Sequence, residues 1–60
     1  MDAYAELSDV LDQISELEHR ATLALIEGKA SVVTEKVDAL ASLAARASKL
    51  AAEWAKGRKP

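Results

Sequence analysis

A few groups of side chains in this sixty-residue chain have types and spacings that could do chemistry. Glu16-Leu17-Glu18-His19 contains a Glu-x-x-His, the spacing with which carboxylate-bridged di-iron bundles supply a carboxylate and an imidazole from one helical turn. Such a pair works only if both side chains project into a core. Glu16 and His19 fall on the side of their helix opposite the apolar stripe of Leu7, Ile14 and Ala21, and the second half of the chain offers no inward glutamate at the matching level. The reading is therefore no metal site, with His19 a surface residue pairing with Glu16 or Ser15 one turn back. Asp9 and Asp12 are close enough to act as an acid–base pair, but an exposed acidic face supplies neither the burial nor the partner that acid catalysis needs. Ser8, Ser15, Ser31, Ser42 and Ser48 have no histidine placed to activate them, and the isolated Gly28 cannot cradle a phosphate. The expectation is a protein that is not an enzyme and holds no cofactor.

The elements that position these groups follow from composition. There is no cysteine, hence no disulfide, thiolate metal site or thiol nucleophile. Half of the residues are apolar, with Tyr4 and Trp54 the only aromatic ones among Phe, Trp and Tyr, and glycine and proline confined to Gly28, Gly57 and Pro60. Long alanine-, leucine-, glutamate- and lysine-rich segments without breakers read as helix throughout. No charged segment followed by an apolar one marks a secretion signal, and no apolar run is long enough to span a bilayer, so the expected product is soluble and cytoplasmic.

The spacing predicts an all-α fold, an antiparallel two-helix hairpin forming a single domain over residues 1–60. The first helix is expected over about residues 2–27, N-capped by Asp2, with Tyr4, Leu7, Val10, Leu11, Ile14, Leu17, Ala21, Ala24 and Leu25 on one face. Gly28 suits a left-handed C′ position, and Ser31 is the expected N-cap of the next helix, giving a turn over 28–31. The second helix is expected over about 32–56, ended by Gly57, with a basic tail over 57–60. Its residues Val33, Val37, Leu40, Ala44, Ala47, Ala51 and Trp54 alternate steps of four and three, which predicts a seam against the first helix. Folding about the turn pairs Leu7 with Ala51, Leu11 with Ala47 and Ile14 with Ala44, large against small. Charge agrees with this antiparallel arrangement: residues 1–30 carry seven acids and two bases, residues 31–60 three acids and six bases.

Sixty residues bury too little for comfortable stability alone. The first helix is apolar over a sector of roughly 160° at ~100° per residue, wider than one neighbour covers. On the second, Leu43 and Leu50 flank the expected seam, with Val32 and Trp54 extending that flank. Leaving large side chains in water forfeits ~1.5–3 kcal/mol each. Leu40, Leu43, Ala47, Leu50 and Trp54 are therefore the expected interface with a partner, and a twofold homodimer forming a four-helix bundle is the expected closure. Leu23 and Ile26 lie off the first stripe near the turn, either folding over the hairpin end as a local lid or forming a second contact patch.

Two family resemblances bear on function. The equal-armed hairpin of this length is similar, in layout and without a shared motif, to the Rop family of plasmid RNA-binding four-helix dimers. In that family the first helix meets RNA, whereas here it is acidic and only Lys56, Arg58 and Lys59 form a basic cluster. Residues 23–43 resemble the turn region of the small flagellar and type III export chaperones, through Glu27-Gly28, Glu35-Lys36 and Leu40. That resemblance implies a secreted filament subunit as partner. The stretch from Lys49 to Lys59 also has the Trp and flanking lysines of an interfacial membrane helix, though its alanines give little apolar area. The residues favour a non-enzymatic regulator that binds protein, such as a phage- or plasmid-type inhibitor, over an export chaperone and then a Rop-like RNA binder; nucleic acid and membrane rank below protein as partners.

Overall fold

The computed structural model describes residues 2–58. They form α1 (Ala3–Ile26) and α2 (Ala30–Gly57), two antiparallel helices packed along their length as an all-α hairpin 48 × 18 × 14 Å in extent. Lys59 and Pro60 of the expected basic tail lie outside the described residues.

Local chemistry sets both ends of α1. Asp2 has extended backbone and its Oδ1 accepts the Tyr4 amide at 3.1 Å, the N-cap the sequence predicts. At the other end Gly28 has φ +75°, a conformation that costs an L-residue with a Cβ about 1–2 kcal/mol. With Gly28 turned left-handed, its amide donates to the Leu25 carbonyl at 3.1 Å and the Lys29 amide donates to the Ala24 carbonyl at 2.9 Å. These two bonds are a Schellman motif, and they satisfy carbonyls that the helix end would otherwise orphan.

The same turn corrects the expected start of the second helix. The Schellman bonds redirect the chain so abruptly that α2 begins at Ala30, with Lys29 in the N-cap position and no side-chain cap. Ser31 is therefore inside the first turn rather than at its cap. The Lys29 ammonium instead reaches the Glu27 carboxylate at 3.2 Å, with both side chains exposed.

The helix contact also differs from the predicted seam. Val10 is 1% exposed, Ala24 5% and Leu50 6%, and these are the fully buried apolar residues among those described. Leu7, Ile14, Leu17 and Ala21 of α1 and Val32, Val33, Lys36, Ala39, Leu40, Leu43 and Ala47 of α2 are half-buried around them. Val37, Ala44 and Ala51, expected in the seam, are exposed. α2 is thus turned about its axis so that Leu43 and Leu50 face α1. The physical reason is area: a leucine buries three more carbons than an alanine, at ~0.8 kcal/mol each, so the contact forms where the leucines are and leaves alanines in water. Lys36 fits this seam because its stem can lie on apolar surface while Nζ reaches out to 3.6 Å from Glu35.

Candidate protein-binding face

Turning α2 this way leaves Tyr4, Leu11, Leu25 and Val37 exposed on one side of the hairpin, while Leu23 and Ile26 are exposed elsewhere near the turn. On α1, Tyr4, Leu11, Glu18 and Leu25 are seven residues apart and all exposed, forming one ridge. On α2, Val37, Ala44 and Ala51 have the same spacing and are also exposed. At ~100° per residue both ridges stand roughly a quarter-turn from the helix contact, and in antiparallel helices those quarter-turns point to the same side. Open grooves at the two ends agree with this placement. Tyr4, Leu7, Ser8 and Leu11 line one together with Trp54, and Leu25 lines the other with Ala30, Val33 and Thr34. Trp54 is 37% exposed, with the Arg58 guanidinium carbon 5.1 Å from its ring centroid, a cation–π contact at the hairpin's open end.

The opposite side is polar. Arg46 crosses from α2 to donate to Glu6 at 3.0 Å, the one ion pair between the helices among the described residues. On α1, Gln13 donates to Asp9 at 3.2 Å and Arg20 to Glu16 at 2.9 Å. The hairpin is therefore amphipathic: a polar back, and a front carrying two ridges that are apolar except at Glu18.

The structure redistributes the residues expected at an interface. Leu50 is enclosed between the helices and Leu43 is half-buried there, so both take part in the intrachain contact that was expected to exclude them. Leu40 and Ala47 are half-buried at the edge of the front face, and Trp54 remains at its end. Leu23 and Ile26 do not close over the hairpin end. Ile26 is 76% exposed, because the turn follows at once and leaves no chain to cover it. Residues that sequence reasoning assigned to the intrachain contact, Leu11, Leu25 and Val37 above all, are the ones exposed on the front.

The groups singled out for chemistry stay apart. Glu16 pairs with Arg20 rather than His19, and His19 is exposed. Among the described residues no three of His, Asp and Glu gather as a metal site would require, and no helix is long and apolar enough to cross a membrane. Compared with known proteins, the chain matches no family model, no curated protein and no solved structure.

Proposed function

We propose that this chain is a small non-enzymatic regulatory protein that acts in the cytoplasm by binding another protein chain, in the manner of a phage- or plasmid-type inhibitor. The observation that carries the reading is the amphipathic hairpin: Tyr4, Leu11, Leu25 and Val37 are exposed together on one side while ion pairs occupy the other. Exposed apolar side chains gathered on one face mark interaction surfaces, and an i, i+7 ridge is the shape that docks with helices. The acidic first helix opposes a polyanion, which favours protein over RNA as the ligand.

The test uses three immobilised chains: the natural one, a front-face variant carrying Leu11→Asp and Val37→Asp, and a back-face variant carrying Gln13→Ala. A partner of this face is retained by the first and third and lost by the second. Equal retention by all three, or retention of no protein under gentle conditions, would defeat the reading.

A further inference from the structure

Resting on that reading of the front face, we infer that its occupant is a second copy of this chain, docked with both turns at the same end so that α1 of each copy lies on α2 of the other. Size is the first argument. The hairpin's broad side measures 48 by 18 Å, so two copies overlapped face to face would meet over an area on the scale of the ~800 Å² per partner that stable dimers cover. A single foreign helix covers about half that width, whereas a second hairpin covers all of it.

Register is the second. Leu25 shares one groove with Ala30, Val33 and Thr34, and Tyr4, Leu7, Ser8 and Leu11 share another with Trp54; the proposed arrangement takes Leu25 as level with Val33 and Tyr4 with Trp54. The same register sets Leu11 level with Ala47 and Glu18 level with Leu40. A twofold axis along the hairpin keeps each level and exchanges α1 with α2. Leu11 of one copy then enters the gap between Ala44 and Ala51 of the second copy. Leu25 enters the gap between Ala30 and Val37, and Tyr4 the gap beyond Ala51. The large side chains of one ridge fall between the small ones of the other, which is how helices interdigitate. Helices with opposite charge excess also meet, because residues 1–30 are acidic and 31–60 basic on balance.

The alternative twofold, with turns at opposite ends, is weaker on both counts. It sets α1 against α1, acidic on acidic, and with the two hairpins overlapped over their full length it brings the ridges into head-on register. Tyr4 then abuts Leu25 of the second copy, and Leu11 abuts its Glu18 carboxylate, twice per dimer. The favoured arrangement lays Glu18 over the gap between Val37 and Ala44 of the second copy, where the small alanine crowds it least.

Because the chain has no cysteine, a single spin label at Lys29→Cys reports the orientation directly. The expected result is a dimer mass by light scattering and a label–label distance below half the hairpin's 48 Å length. A distance near that full length overturns the orientation. A one-chain mass at hundreds of micromolar, with no dipolar coupling, overturns the second copy as occupant; the protein-binding reading is then judged by its own capture experiment. As a second measurement, Leu11→Cys mixed with Ala51→Cys is expected to give an interchain disulfide under mild oxidation. Cross-linking of Leu11→Cys with Glu18→Cys instead would contradict the arrangement. Glu18→Leu is expected to tighten self-association at least tenfold, and unchanged or weaker association would count against the register.

Discussion

Leu50 and Leu11 are both large residues of an apolar stripe, yet the structure gives them different work, and truncating each to alanine separates folding from association. Leu50 is 6% exposed between the helices and Leu11 is 50% exposed on the front. Leu→Ala at a buried site costs ~2–5 kcal/mol, and the thin core here can relax, which places Leu50→Ala near the lower end at ~2–3 kcal/mol. A chain this small has a total stability of only ~3–9 kcal/mol at ~0.05–0.15 kcal/mol per residue. With ~4–8 °C per kcal/mol, Leu50→Ala should lower the thermal midpoint by ~10–20 °C. Leu11→Ala removes a side chain that is already half in water, so the isolated hairpin should lose ~1 kcal/mol or less. Its larger effect should come through association: a hundredfold excess of partner over Kd adds ~2.7 kcal/mol to the folded state, and that gain is what Leu11→Ala forfeits. The assay is far-UV circular dichroism melting at two protein concentrations a hundredfold apart. Leu50→Ala should shift both midpoints downward while keeping their separation. Leu11→Ala should leave the dilute midpoint within a few degrees and shrink the separation. If Leu11→Ala costs more than Leu50→Ala at the lower concentration, the assignment of inside and outside on these helices is wrong.

Three further outcomes follow from the turn and the surface. Gly28→Ala should cost ~1–2 kcal/mol in urea unfolding, all of it backbone strain at φ +75°, because a Cβ there would meet nothing within 4 Å. Lys29→Ser should stabilise the chain by ~1 kcal/mol in thermal melts by giving α2 the side-chain cap it lacks, while the exposed Lys29–Glu27 pair it removes contributes little. A double-mutant cycle on Glu6 and Arg46 should give a coupling below ~1 kcal/mol that fades in 1 M salt, since the Arg46 side chain is more than half exposed.

Much of the fold was legible in the residues because local and periodic signals agreed. Asp2 before an apolar period, Gly28 at its end and a second period of similar length leave few alternatives to a hairpin. What could not be read was which stripe of the second helix faces inward. Two stripes overlap there: Val33, Val37, Leu40, Ala44, Ala47 and Ala51, with an unbroken four-three rhythm, and Val32, Lys36, Ala39, Leu43 and Leu50, interrupted by a lysine. Rhythm favours the first and buried area the second; the contact takes the second together with Val33, Leu40 and Ala47 of the first, and leaves Val37, Ala44 and Ala51 outside. Lys36 concealed the second stripe because a charge counts as polar in a pattern even when its stem can pack. Ser31 misled for a different reason: an N-cap preference is worth ~1 kcal/mol, whereas two Schellman bonds at a left-handed glycine set the path of the chain before that preference can act. The front face inherits the same error in mirror image. Tyr4, Leu11, Leu25, Val37, Ala44 and Ala51 were all recognisable as apolar stripe residues, but the helix contact formed beside them and left them on the surface.

That placement has a consequence for how such a hairpin can be regulated. With three fully buried apolar residues among those described, the hairpin holds little of its own stability in reserve, and covering the front face adds to folding and recognition together. If a second copy occupies the front as proposed, a foreign helix aimed at the Leu11 ridge has to displace it before binding, and its apparent affinity should fall as the chain's own concentration rises. Substitutions on the polar back, such as at Gln13 or Arg20, leave that competition unchanged, while Glu18→Leu shifts it toward self-pairing. Under the proposed self-pairing, the exposed Glu18 carboxylate in an otherwise apolar ridge would set how readily a foreign chain can enter, and Glu18→Leu should make that entry harder.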